Sequence, residues 1–341
     1  MTEVRLTLTR EQILGHRRRV SHLESRLPYG ASSLRQAGWA GLQDSMPRAA
    51  LLSVHARVEA AQPTSWDDPA FEQVWGPRFS TYVVPAEDRA IFTVSRLPET
   101  ATKREICTSI AARLRDALQG ETMLATEAAK AIGEHHNQIR RAAATGTILI
   151  RWDGARQPTI WSVPAPDIDP VDARLEMARR YIRVFGPTTA EAFAGWAGIS
   201  KRLGPETFAR LSDELIPVVT PIGDAVILSD DEDTLRRDGK PSAVVRLLPS
   251  GDTYYLVSGI QRDLILADKA LRNLLWTSRV WPGAVLMDGE IVGIWRRAQH
   301  QVVVETWRRL SNQDRDRVEA EASALPLPDL DRDVTVTWNA N

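Results

Sequence analysis

The chain has 341 residues, 43% hydrophobic and 26% charged with a net charge of −1: the make-up of two to four compact globular units, not of a general polycation. No run of about 18 apolar residues occurs, so no membrane-spanning helix is expected, and Met1 to Arg5 lacks the basic start and apolar core of a signal peptide. Cys107 is alone, which excludes an internal disulfide framework or a Cys-based zinc site and makes a reducing cytoplasm the expected compartment.

In chain order, Thr9–Arg19 reads as a helix with Thr9 as N-cap and Gln12 in the capping-box position. Ser32–Ala40 and Met46–Val58 supply two more helices. Arg78–Val84 and Ala90–Ser95 read as strands from their β-branched and aromatic alternation. A second block follows from about Thr102. Lys103–Leu118 places Ile106, Ile110, Leu114 and Leu118 on one helical face. Thr126–Ile132 and His135–Thr145 are further helices, and Thr147–Arg151, Asp153-Gly154 and Thr159–Trp161 form a hairpin with its turn in place.

A third block repeats the pattern with helices at Val171–Phe185, Thr189–Ala197 and Gly204–Leu215, then a hairpin from Pro217 to Leu228. Three helices and a hairpin make a winged helix, whose third helix can enter a DNA groove. The acidic run Asp230-Asp231-Glu232-Asp233 reads as a linker. Beyond it, strands are expected within Ser242–Gly259 around the turn at Pro249–Asp252, a helix over Gln261–Trp276, and strands at Gly283–Met287, Ile291–Arg296 and Val302–Trp307. A helix at Asp314–Ala324 and a strand at Val334–Trp338 close the chain. The expected fold class is α+β, with tandem winged-helix units at 1–100, 101–165 and 166–230 and a β-rich α+β unit at 242–341.

The chemistry concentrates in Gln43-Asp44-Ser45, at the mouth of an apolar helix that carries Arg48 and Arg57. Gln43 can position a water or tie its loop to the wing. Asp44 can cap the following helix, face a bound water or face solvent. Arg48 and Arg57 lie about two and a half turns apart, so one on phosphate and one in an internal ion pair is expected. Residues 1–60 hold nine arginines against five acids. Arg17-Arg18-Arg19 is the densest basic cluster, either a solvated face or a phosphate contact. Glu134-His135-His136 lacks the spacing of a metal site; with Gln138, Arg140 and Arg141 it reads instead as a recognition-helix start. His55 reads as a core residue. Trp39, Trp75, Trp196 and Trp295 could stack a nucleic-acid base, though most of the eleven tryptophans are expected in the core.

Several separated motifs occur together and in order. They are Gly41-Leu42-Gln43 with Pro47-Arg48-Ala49-Ala50-Leu51 and Ala56-Arg57; Arg78 to Pro85; Phe185-Gly186-Pro187-Thr188; Arg246 to Pro249 with Asp252; and Val285 to Gly289 with Val292 to Trp295. In these the chain resembles the winged-helix DNA-binding family that includes AlkZ-type DNA glycosylases, which excise bulky alkylated purines. That family carries Gln or His, any residue, then Gln or Asp; Gln43 matches the first position and Ser45 stands at the third. Its Arg-Gly-Thr-Leu-His pattern becomes Arg78-Phe79-Ser80-Thr81-Tyr82.

The resemblance implies a monomer that binds double-stranded, alkylated DNA on a basic concave face, with no cofactor and no metal. Catalysis falls to Gln43, with Asp44 and Ser45 beside it, and DNA contacts to Arg17, Arg18, Arg19, Arg48, Arg57, Arg78, Gln138, Arg140 and Arg141. The alternative is a non-catalytic DNA-binding or regulatory protein that keeps the scaffold without the active motif.

Overall fold

The protein is described by a computed structural model covering residues 5–154, 156–237, 239–327 and 333–339. Residues 1–4, on which the expectation about a signal peptide largely rests, lie outside that range. The fold is α+β: helices interspersed with three small three-stranded sheets and one five-stranded sheet among the described residues.

The second block shows the local logic most simply. Helix Ala101–Leu118 presents Ile110, Leu114 and Leu118 to a core with Ala128, Ile139, Ile148 and Ile160. A short strand Met123–Leu124 precedes helix Ala125–Ala131, and it pairs with Thr159–Ser162, the second arm of the hairpin Ile148–Arg151/Thr159–Ser162 and the centre of the sheet. Strands Leu42–Gln43, Phe71–Trp75 and Thr81–Pro85 repeat that sheet order in the first block, with Thr81–Pro85 central.

The third block begins at helix Pro170–Phe185, whose N-cap Asp169 accepts from the Val171 amide while Pro170 sits in the first turn, where its missing N–H costs nothing. Helices Ala190–Ala197 and Leu203–Arg210 follow, then the hairpin Leu215–Thr220/Gly223–Leu228. Thr188 bridges Val226 on one side of that hairpin. On the other, Leu6–Thr7 adds a parallel strand against Val218–Val219, so the beginning of the chain joins the third sheet and not the first. Thr9 and Gln12 form the expected capping box at the start of helix Arg10–Val20.

The C-terminal sheet runs Val245–Leu248, Gly283–Met287, Glu290–Ala298, Gln301–Thr306, Thr335–Asn339, antiparallel except for its last pair. Helix Asn312–Ser323 covers it, burying Val318 and Ala322. One large core cluster draws on the first and third blocks and this unit together, through Leu14, Tyr82, Phe92, Tyr181, Phe185, Trp196, Tyr255 and Leu286.

Five expectations are corrected. Ala90–Ser95 is not a strand but helix Arg89–Thr93 and a 3-10 turn Val94–Arg96; the partner of Thr81–Pro85 is Phe71–Trp75. Between 242 and 259 only Val245–Leu248 is a strand. After the turn, Asp252 accepts from the Tyr254 amide and holds the backbone out of a ladder. Gln261–Trp276 breaks into Gln261–Ile265 and Lys269–Leu275, the second capped by Asp268. Within His135–Thr145 the only helical segment is the 3-10 turn Ile139–Thr145, which has no side-chain cap. The acidic linker at 230–233 is partly helical, entering helix Glu232–Arg236 with Asp231 buried.

Candidate functional site

Gln43 ends a two-residue strand beside Tyr82, and the alternation of a strand sends successive side chains to opposite faces. The Gln43 amide is half-buried at the surface. Its Nε2 donates to Ser45 Oγ at 3.1 Å, and its Oε1 accepts from Arg78 Nη2 at 3.4 Å. Arg78 is exposed on the 76–80 loop between Phe71–Trp75 and Thr81–Pro85, with a left-handed backbone (φ 55°). Gly251 packs against the same amide: a Cβ there would lie 3.4 Å from Gln43 Cδ.

Asp44 turns the other way and is 2% exposed. Its Oδ1 accepts from the Ala50 amide at 2.9 Å, in the first turn of helix Ala49–Arg57, and its Oδ2 from Gln73 Nε2 at 2.7 Å. The helix starts three residues later than expected, with Arg48 in a left-handed cap position (φ 64°), so Asp44 satisfies the helix start from outside the segment. Burial pushes the Asp44 carboxyl up to about 6 against those two hydrogen bonds. Gln73 also accepts from the Trp152 amide, which ties Asp44 to the second block. Asp44 therefore has no free edge for a sugar or a water.

Tyr82 occupies the position where the family pattern has histidine. It is fully buried, and desolvation lifts its phenol to about 12, so it stays neutral. Arg48 is half-buried with its guanidinium 3.8 Å from the centre of the Trp66 ring, and Arg151 lies 3.5 Å from the same ring while pairing with Asp67. Arg57 is buried in an ion pair with Asp252, reinforced by Ser53 and Thr253.

A cavity of about 210 Å³ opens beside this motif. Met46, Pro47, Ala49 and Leu52 form one wall, Pro249 and Ser250 a second, and Val280 to Gly283 with Trp295 to Arg297 the rest. Its lining is mainly apolar and aromatic, with Ser250, Arg296 and Arg297 as the polar members.

Other expected DNA contacts separate into two groups. Arg78 and Arg141 are exposed, Gln138 and Arg140 half-buried, and Arg140 packs 5.9 Å from the Trp75 ring. Arg17 and Arg18 are 1% and 3% exposed, a correction to their expected place on phosphate. Arg17 donates to the Phe185 and Gly186 carbonyls and to Gln261, Arg18 to Glu24 and the Gly239 and Gly289 carbonyls. Arg57 is likewise withdrawn from phosphate by Asp252. Arg19 stays half-exposed.

His55 is buried among Arg26 and Glu321 and, with burial holding its imidazole near 3, remains neutral. Trp75 and Trp196 are buried in the core, Trp295 is fixed by its Nε1 on the Leu248 carbonyl, and Trp39 is half-buried. Sequence reading missed Gln73, Trp66, Arg151, Trp281 and Arg296. The alternation Phe71-Glu72-Gln73-Val74-Trp75 was the signal for the first, a strand hidden by the acidic and polar residues around it.

A sequence model of the family described as DNA glycosylase AlkZ-like matches residues 36–326. Among solved structures, the Streptomyces sahachiroi DNA glycosylase AlkZ aligns with a TM-score of 0.76 over 98% of this chain and 100% of that one, at 18% identity, a likeness of fold. Comparison with curated proteins gave no match. Fold and family match together define a DNA glycosylase-like scaffold. The chain belongs to the AlkZ-like DNA glycosylase family.

Proposed function

We propose that the protein is a monofunctional glycosylase that hydrolyses the N-glycosidic bond of cationic alkylated purines in double-stranded DNA, with Gln43 presenting the attacking water. The observation that carries this reading is the Gln43 amide, oriented between Arg78 and Ser45 at the surface beside the cavity. An N7- or N3-alkylated purine already bears positive charge and leaves without strong general-acid help, so positioning the water is the main task left to the protein. Ser45 orients the amide, and Asp44 supports the helix that frames the cavity. In this reading the three helix-and-hairpin blocks act as winged helices, with the unit boundaries 1–100, 101–165, 166–230 and 242–341. DNA is held by Arg78, Arg48, Gln138, Arg140 and Arg141, and the protein acts as a cytoplasmic monomer. No helix among the described residues is long and apolar enough to cross a membrane.

A second reading rests on one observation: Ser45 stands where the family has an acid or amide, and the nearby carboxylates of Asp44 and Asp252 are buried in other contacts. On that ground the protein binds DNA without cutting it. Single-turnover release of 7-methylguanine from alkylated duplex DNA separates the two. Release that collapses in Gln43→Ala establishes the glycosylase. Tight, salt-sensitive binding with no release leaves the binder or an enzyme for a bulkier lesion, and absence of binding defeats both.

A further inference from the structure

A second cavity, of about 450 Å³, lies away from Gln43 between helices Arg10–Val20, Ala31–Ala37, Pro170–Phe185 and Glu232–Arg236. None of its lining residues belongs to the Gln43 site. Its wall carries three arginines, Arg19, Arg183 and Arg237, with the amide of Gln36 and the indole of Trp39. His16 and His22 complete it; burial holds both below the ordinary histidine value, His16 at about 4, so neither adds charge, and both His16 ring nitrogens are taken by Thr234 and the Arg183 carbonyl.

The charge is unbalanced. Arg183 faces the one nearby buried carboxylate, Asp231, at 3.3 Å. Arg237 is exposed and has no hydrogen bond or ion pair among the described residues. Arg19 donates through Nη2 to the Thr234 carbonyl at 2.8 Å, while its Nε is buried without a partner. Burial weakens the Arg19 cation, and the charges of Arg18 and Arg237 press on it further, with Glu24 offsetting part of this. Two cations held together with a donor left idle cost stability unless an anion joins them.

We infer that this cavity is a nucleotide site, in which Arg19 and Arg237 hold the phosphate while Trp39 and Gln36 receive the base. The volume lies in the range of small-molecule pockets. A guanidinium pair recognises phosphate oxygens through charge-assisted hydrogen bonds. An indole beside it offers a stacking surface indifferent to base identity, and a side-chain amide can pair with a base edge. A carboxylate ligand would use the arginines but leave the indole and amide without a role. The nucleotide comes either free or as the phosphorylated end of a DNA strand.

The full chain is titrated calorimetrically at low salt with dGMP, a 5′-phosphorylated single-stranded tetranucleotide and inorganic phosphate, as wild type, Arg237→Glu and Arg237→Lys. Arg237 is at the surface, so neither variant should melt below wild type, and Arg237→Glu, which relieves the crowding on Arg19, should melt no lower than Arg237→Lys. Expected is one site whose affinity falls at least about tenfold in Arg237→Glu and far less in Arg237→Lys, with inorganic phosphate at least about tenfold weaker than the better nucleotide. Binding of dGMP identifies a free nucleotide; binding of the tetranucleotide alone identifies a strand end. Absence of binding, equal affinity in Arg237→Glu, or phosphate as tight as the nucleotides would overturn the inference.

Discussion

Arg57 and Asp252 grip each other edge to edge in the interior: Nη1 and Nη2 donate to the two carboxylate oxygens at 2.7 and 2.8 Å, with side chains 2% and 0% exposed. The pair joins helix Ala49–Arg57 to the turn that leads out of Val245–Leu248, so it fixes one cavity wall against another. Removing one partner leaves the other charge buried and uncompensated. Arg57→Ala is expected to cost about 3–5 kcal/mol, read by urea denaturation. The double variant Arg57→Ala/Asp252→Ala should be less destabilised than the sum of the two singles. Strict additivity would show that the ion pair is not the coupling.

Ser45 is exposed and already accepts from Gln43 Nε2. A carboxylate in its place keeps that bond and strengthens it, and under the proposed glycosylase function it adds negative charge near the developing oxocarbenium ion. Ser45→Asp is therefore expected to raise single-turnover release of 7-methylguanine by at least about tenfold. An unchanged or lower rate, with DNA affinity retained, would remove the third motif position from the mechanism.

The Asp44 carboxyl has a folded value of about 6 against an ordinary 3.8. A raised folded value means that protonation favours the fold. The stabilisation is complete below the unfolded value and disappears as pH rises from about 4 to about 6, a change on the order of 3 kcal/mol. Asp231, raised for the same reason, acts in the same window, while the buried His16 and His55 act with opposite sign as pH falls below the ordinary histidine value. The contribution of Asp44 is thus the difference between wild type and Asp44→Asn in unfolding free energy across pH 4–7. Parallel profiles would refute it. At pH 4, where that contribution is greatest, Asp44→Ala strips partners from the Ala50 amide and Gln73 and should cost about 1–3 kcal/mol.

If Arg78 and Arg141 meet phosphates, each change to Ala should weaken duplex binding for all sequences alike and lower the salt slope by about one. Arg17→Met serves as the contrast. Its parent guanidinium is committed to buried carbonyls, so the change should lower stability and leave the slope alone. A slope that moves with Arg17 and not with Arg141 would relocate the DNA face.

Short-range chemistry made much of the fold readable. The Thr9–Gln12 capping box, the pairing of Ile148–Arg151 with Thr159–Ser162 and the apolar face of Ala101–Leu118 depend on neighbours a few residues away. Contacts made across the chain were not readable in the same way. Ile91, Phe92 and Val94 fit either a strand or a short helix, and packing on helix Pro170–Phe185 selects the helix. Arg17-Arg18-Arg19 has the composition of a surface cluster, yet its first two members are drawn inward by carbonyls more than 160 residues away in sequence. At the candidate site, Gln43 and Ser45 were legible from their motif. Asp44's inward turn depended on Gln73, in a strand that the pattern did not reveal.

The parallel pairing of Leu6–Thr7 with Val218–Val219 has a consequence for synthesis. The first strand leaves the ribosome long before its partner, more than two hundred residues behind it, has been translated. Until then Leu6 and Leu8 have no sheet to cover, and the closing of so long a loop falls late in folding. A bulky fusion ahead of residue 5 would burden that docking step.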